Sequence, residues 1–466
     1  MKKAFVLALT LVCFASLAFG SGSGQSGSVP TVVWYSPQPA TAAQDLADNI
    51  KIMSDYTEQQ IGVRFELRDL PTETKNILLN SGEAFDIMFT QGYDEARTGV
   101  YADITDKVQT VTPALWNYVP QMLWDGVRLD NRIYFVPTYK DVSATIFLFW
   151  DKKYVDKYNL NTGKQPYTLE DFDKDLRTVK AGEGPAFYPY MSAGANDLWP
   201  NLWDFEGVGA SGIGVRMSDP ARRVVSTLEQ PDTLAKYKIL RSWYKDGIVN
   251  PDAPQMTQIP RGRTVSFDIA WPSKAVITAL SAGIEAYVPV ELNTPYINTG
   301  QVRGSLQAFG ANSRNLDAAL KLIELVNTDH KLRDMLAFGI EGRNFRYVSP
   351  NVVERLTDNY TPMEWTQGTF FNLSTTTDQS PTTWDEVRSQ NERGVASSLL
   401  GFSFDPSSFR NEIANINTVY SRYSIELIYG ADEPETLIPR IMRELRTVGF
   451  DRVFAEAQRQ IDEFFK

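Results

Sequence analysis

The sequence has one cysteine, Cys13, and one histidine, His330, in 466 residues. A single cysteine forms no intrachain disulfide and no thiolate zinc site. A serine–histidine catalytic pair has only His330 to draw on, in the turn NTDHKL, where it reads as a helix-end surface residue. Positive charge is also short: 46 Lys and Arg against 57 Asp and Glu, a net charge of −11. That balance argues against nucleic acid or an anionic membrane surface as partner, since both need a basic face. Beyond residue 20 no apolar run approaches the length of a membrane span. The glycine run GVGASGIG (207–214) lacks the Lys-Ser/Thr of a phosphate loop. EF-hand spacing is absent, as are internal repeats. What these absences leave open is paired carboxylates, because 57 acids offer many pairs.

Aromatic residues, by contrast, are abundant: 10 Trp, 21 Tyr and 25 Phe. Many serve a core, and a surplus of Trp and Tyr also suits surfaces that bind flat, partly apolar ligands. Residues 1–20 read as a secretory signal, with Lys2 and Lys3 ahead of an apolar run and Ala18 and Gly20 at the −3 and −1 positions of a cleavage site. Residues 21–30 form a flexible leader, SGSGQSGSVP. Cys13 follows Thr10, Leu11 and Val12, a poor lipobox, so cleavage after Gly20 without a lipid anchor is the expectation. Removing the two lysines takes the net charge from −11 to −13.

Strand, helix, strand, helix, strand alternate over 31–89: TVVWYS (31–36), a helix over 41–59, alternating Val63, Phe65 and Leu67, a helix over 72–79, and FDIMF (85–89). Two such βαβ units make a mostly parallel sheet with right-handed crossovers. The stretch IYFVPTYKDVSATIFLFWDKKYVDKY (133–158) then starts as a strand, is stopped by Pro137, passes a polar patch and resumes as a strand over 145–150. It reads as a hinge between two α/β lobes. Later elements are a helix over 168–180 with a Thr168–Asp171 capping box, an extended segment 186–191, a helix over 228–246 stopped by Gly247, strands 265–270 and 286–290, and helices 316–326 and 332–337. From about 348 the chain reads as helix and loop. The order predicts lobe one from 31–138 with 295–343, lobe two from 139–294 with 344–466, and two crossings, near 138 and near 293.

Ligands in open α/β sheets sit outside the carboxyl ends of strands. Tyr35 and Ser36 end the first strand, and Gln91, Tyr93 and Asp94 follow the third. Tyr139 and Asp141 lie at the hinge. Asn196 and Trp199 share a Gly-rich loop, where an amide beside an indole suits a hydroxylated ring. Trp271 ends the strand VSFDIA, at a junction set by Pro272. Glu341 is presented between glycines, as a site carboxylate or a helix cap, and Trp365 either reaches the cleft or anchors the tail.

Several segments carry a resemblance: VVWYSPQP (32–39), YADITDKV (101–108), DNRIYFVPT (130–138), FWDKKYVDKYNL (149–160), LRSWYKDGIVNPDA (240–253), GSLQAFGANSRNLDAALKLIELVNTD (304–329) and FGIEGRNF (338–345). In order and spacing the chain resembles the extracellular solute-binding proteins of carbohydrate-type ABC importers, the maltose-binding-like family. It is closest to that family's large lipoprotein-like subgroup, whose extra C-terminal region is matched here from about 400. Two features depart from the pattern: the lipobox is missing, and Asn344 stands where relatives often carry histidine. The resemblance implies an α/β fold of two discontinuous lobes of the periplasmic-binding type (type II), joined by a hinge around a ligand cleft. It implies capture of one saccharide by a monomer, without cofactor, metal or catalysis, and delivery to the permease subunits. It also matches Trp271 to a stacking tryptophan and residues 91–94 to a ligand-contacting loop. The rival expectation is a secreted polysaccharide hydrolase or lyase using paired carboxylates.

Overall fold

Residues 87–90 are buried at every position because their strand lies in the middle of a sheet covered on both faces. The computed structural model describes residues 29–38, 43–143, 145–193, 204–292 and 294–466. In it, five strands run in the order Arg64–Arg68, Thr31–Tyr35, Ile87–Thr90, Leu306–Phe309, Phe135–Pro137. The first three are parallel, and Leu306–Phe309 is antiparallel to both of its neighbours. Helices Ala43–Ile61 and Thr72–Ser81 are the crossovers that parallel pairing demands. The register sets Leu306 opposite both Thr90 and Pro137, and Tyr35 opposite Met88. The carboxyl ends of the Thr31, Ile87 and Phe135 strands therefore lie along one edge, with the start of Leu306–Phe309 between them.

The second lobe is built on Ile146–Asp151, flanked antiparallel by Val265–Ile269 and Tyr287–Glu291. Five of its six residues are buried, as the run IFLFW requires. Asp151 caps the next helix, its side chain accepting from the Lys153 N–H. The Thr168–Asp171 capping box is formed in full. A meander of Phe205–Gly207, Ile213–Arg216 and Val224–Ser226 adds a second small sheet.

Two large apolar clusters hold the molecule. One runs from Val32 to Val142 and from Ile297 to Leu336, and includes Tyr360. The other runs from Leu148 to Val290 and from Leu399 to Ile461, so the last three helices, Arg410–Ile428, Pro434–Thr447 and Phe450–Phe464, are core elements of the second lobe.

The structure corrects four expectations. The chain crosses between lobes three times, not twice. After the first crossing at 138–145, Tyr296–Ile297 pairs in parallel with Val395–Ala396, placing the second and third crossings side by side. Residues 345–376, expected in lobe two, instead extend the first lobe: Tyr360 joins its cluster, and Phe345 and Val353 pack on Ala337 and Phe338. This segment is also not only helix and loop, since Phe345–Ser349, Val352–Arg355 and Thr375–Thr376 form a small sheet. Residues 186–191 form no strand, only a single bridge from Tyr190 to Val249, because Gly184 and Pro185 turn the chain before a ladder can extend.

Candidate ligand-binding cleft

The strand ends of the first lobe carry a polar seam. Ser36 Oγ and Thr366 Oγ1 share a hydrogen bond of 3.0 Å. Ser305 Oγ donates to the Trp365 carbonyl and shares a hydrogen bond with Thr138 Oγ1, each at 2.8 Å. The 364–369 segment that brings Trp365 and Thr366 here is held by Arg333, which is fully buried. Arg333 donates to the carbonyls of Glu364, Gly368 and Thr369 and to Gln367 Oε1. Burial lowers its pKa to about 10, so it stays charged at neutral pH. Trp365 packs edge-on against Phe89, its ring centre 5.4 Å away. Beside Ser36, the Gln38 N–H donates to Asp69 Oδ1 at 2.9 Å, while Gln38 Oε1 is buried without a hydrogen-bond partner among the described residues.

The first crossing forms a floor. The Tyr139 carbonyl accepts from Phe370 N and Thr369 Oγ1, and its ring meets Phe371 at 4.4 Å and Tyr118 at 6.1 Å. Burial raises the Tyr139 hydroxyl pKa. Asp141 pairs with Lys140 at 2.6 Å. The helix Thr383–Arg393 straddles this crossing and bridges the lobes. Its Asn391 accepts from Val142 N and Ser143 N and donates to the Lys140 carbonyl. On the second lobe's side, Gln390 donates to the Ala270 carbonyl and Glu386 accepts from Ser273 N.

Trp271 sits at the second-lobe edge from which the crossings leave, because Ile269 lies opposite Ile146 and Ala270 N donates to the Thr145 carbonyl. Its ring is 6.4 Å from Trp384, which is 4.7 Å from Phe370. Lys274 Nζ lies 5.4 Å from the Trp271 ring centre. The indole N–H of Trp271 is buried with no partner among the described residues.

At the opposite end of the edge, a cavity of about 540 Å3 lies between the lobes. Asp94 and Asn298–Gly300 line it from the first lobe, and Phe205–Gly209 with Phe402–Phe404 from the second. Asp94 accepts from Ser403 Oγ at 3.3 Å, a contact between lobes. Tyr93 is not open to this space. Its hydroxyl donates to the Arg128 carbonyl, and the Arg303 guanidinium covers its ring at 3.3 Å. Burial pushes its hydroxyl up to about 12. Arg303, itself buried, donates to the carbonyls of Gly126, Gly401 and Phe402, and burial lowers its pKa to about 10.

The structure thus brings Ser36, Tyr139, Asp141, Trp271 and Trp365 to the facing edges. Ser36 is fully buried and Tyr139 nearly so, so both support the edge rather than stand free on it. Tyr35 is buried behind the edge, with Arg68 donating to its hydroxyl at 3.2 Å. Gln91 is exposed and donates to the Gly304 carbonyl at 2.7 Å. Glu341 is exposed on its glycine turn beside Tyr347, apart from the others. Asn196 and Trp199 lie outside the described residues. Sequence reasoning missed Gln38, Trp384, Asn391 and Arg303. A signal existed for Asn391: its helix, TWDEVRSQNER, has only Trp384 and Val387 as apolar residues, so polar contacts must seat it. Among the described residues no cluster of three His, Cys, Asp or Glu is placed to hold a metal, and no helix is long and apolar enough to cross a membrane.

Residues 70–329, more than half of the chain, match the bacterial extracellular solute-binding protein family. The chain belongs to that family. Residues 398–466 match a domain of unknown function (DUF3502). A carbohydrate ABC transporter substrate-binding protein of Streptococcus pneumoniae serotype 4 is 24% identical over 501 residues, covering 100% of this chain and 98% of that protein. Among solved structures, the N-glycan transport solute-binding protein NgtS of Streptococcus pneumoniae superposes with a TM-score of 0.80 at 19% identity, over 93% of this chain and 99% of that one. NgtS in complex with Man5GlcNAc gives a TM-score of 0.66 at 20% identity, over 93% and 98%. These likenesses establish the two-lobed fold of this solute-binding protein.

Proposed function

We propose that this solute-binding protein captures a sugar or oligosaccharide between its lobes and delivers it, unaltered, to the membrane subunits of an ABC importer. The observation that carries the reading is Trp271: an indole at the second lobe's hinge-side edge, its buried N–H without a partner among the described residues. An aromatic face takes the C–H side of a sugar ring, and a dry donor beside it is completed by a hydroxyl oxygen. Gln38 Oε1 on the first lobe, without a partner among the described residues, offers the complementary acceptor. The named carbohydrate relative and the Man5GlcNAc complex of NgtS support the same solute class.

In this reading the lobes comprise 31–138 with 295–376, and 139–294 with 398–466. Trp271, Gln38, Gln91, Asp94, Asp141 and Trp365 meet the solute, and Ser36, Tyr139 and Tyr93 shape the walls behind them. The mature chain begins after Gly20, works as a soluble exported monomer and carries no catalysis. Solute bound on one lobe favours closure because the closed state adds contacts from the other.

A thermal-shift and small-angle scattering screen over neutral oligosaccharides, including mannose-containing N-glycan fragments, tests this. The expected result is a raised melting temperature, a smaller radius of gyration and ligand recovered intact. Shortened oligosaccharide in the same incubation would overturn the transport reading. Replacing Trp271 by Ala weakens binding by about 1–3 kcal/mol without altering the melting temperature of the free protein; isothermal titration reads this.

A further inference from the structure

A second cavity, of about 420 Å3, lies wholly within the second lobe. It shares Phe205 and the Gly207–Gly209 turn with the inter-lobe cavity, so the two spaces stand on either side of one thin wall. Its volume falls within the range of small-ligand sites. We propose that this cavity is a binding site for one neutral, hydroxylated ring, a monosaccharide unit, and that it operates independently of the hinge.

The lining decides the ligand's chemistry. Among the described residues no charged side chain lines the cavity. An ionised ligand there would leave water without a counter-charge, which is costly. A purely apolar ligand would strand the polar groups that do line it. Those groups belong to Ser211, Thr227, Tyr420 and Asn417, beside the rings of Tyr237 and of Phe205, over which the Arg216 guanidinium lies at 4.4 Å, outside the lining. Flat apolar faces with hydroxyl and amide groups match the two-sided surface of a sugar ring.

The groups are also held in place. Asn417 Oδ1 accepts from Ser211 N at 2.9 Å, which orients its Nδ2 donor. Tyr237 is fully buried and Tyr420 partly buried in the helix pair behind the cavity, and burial is the main cause raising both hydroxyl pKa values. The glycine turn fits tightly on its other side. Gly209 has φ +71°, and a Cβ there would come within 3.2 Å of the Phe404 ring, which lines the inter-lobe cavity. Every wall of the smaller cavity belongs to the second lobe, so lobe movement leaves it intact.

Isothermal titration of the full mature chain with mannose, glucose and N-acetylglucosamine, each with glucuronate as the charged control, tests the proposal. The variants are Ser211→Trp, which fills the cavity, Asn417→Leu, which removes its oriented amide, and Trp271→Ala in the cleft. Expected is a weak neutral-sugar site that survives Trp271→Ala, is weakened about tenfold or more by Ser211→Trp and by Asn417→Leu, and takes glucuronate at least about tenfold more weakly. Oligosaccharide affinity of the cleft stays unchanged in the two second-lobe variants. The proposal is overturned if no neutral sugar binds the Trp271→Ala chain at about 10 mM. It is also overturned if both second-lobe variants bind as the parent does, or if glucuronate binds equally well. If Ser211→Trp fails to fold, judged by its circular dichroism melt, Asn417→Leu decides. Failure of the cleft to bind any oligosaccharide would count against the proposed transport function and leave this site's result standing.

Discussion

Arg303 shows how much one buried side chain sets near the cleft. It satisfies three carbonyls, from Gly126, Gly401 and Phe402, and covers Tyr93. A buried acceptor left without its donor costs about 1–3 kcal/mol, so Arg303→Met should lower the unfolding free energy by about 3 kcal/mol or more. Urea denaturation reads this, and Arg303→Lys should recover only part, because an ammonium cannot span three carbonyls. Asp171 gives a pH-dependent case. Its hydrogen bond with Lys164, at 2.6 Å, is the largest cause holding its pKa below the ordinary 3.8, and the Thr168 backbone N–H adds to it. A carboxylate with a depressed folded pKa contributes stability that is full above its unfolded value and lost as the pH falls through the folded one. Asp171→Ala should therefore cost about 1 kcal/mol at neutral pH. The gap between variant and parent should shrink as the pH falls below about 4, followed by thermal melts across that range.

At the scale of elements, the helix Thr383–Arg393 governs the hinge through Asn391 rather than through an apolar face. Asn391→Ala removes the acceptor for the Val142 and Ser143 amides and the donor to Lys140. The expected outcome is a loss of about 1–2 kcal/mol and faster hydrogen exchange at Val142 and Ser143, with exchange in Ile87–Thr90 unchanged. This helix also marks where sequence reading stopped. Strands such as Thr31–Tyr35 and the Thr168 capping box were legible because their signals are local: apolar runs, alternation and a cap three residues from its partner. Pro137 likewise announced the first crossing, and the ladder ends there, opposite Leu306. The third crossing had no local signature, since its contacts reach residues far back in the chain. The same holds at the site. Trp271 could be placed at a strand end from VSFDIA and Pro272, whereas the Arg303 cover over Tyr93 depends on a partner distant in sequence. The strands Phe345–Ser349 and Val352–Arg355 escaped because each buries a single residue, Phe345 and Val353, which leaves no alternating apolar face to read.

For the whole molecule, the domain of unknown function at 398–466 is not an addition to a finished lobe. Ile416, Leu437, Ile441, Leu445, Val453 and Ile461 lie in the same buried cluster as Leu148, Trp150 and Phe172. A chain ending at residue 397 should keep a protected first lobe and lose second-lobe structure, which limited proteolysis and near-ultraviolet circular dichroism would show. Full second-lobe protection in that truncated chain would refute the shared core.

The split of the second cluster between residues 148–290 and 399–461 also has a consequence in time. A chain that emerges in order, from a ribosome or through a narrow channel, can close its first cluster once residue 376 or so is out. The second must wait for the end. Trp150, Phe172 and Trp243 pack on one another, but the cluster they belong to is completed only by Ile416, Leu437, Ile441 and Ile461. The second lobe's core is therefore completed later in chain order than the first's, although the two lobes are equal partners in the finished molecule.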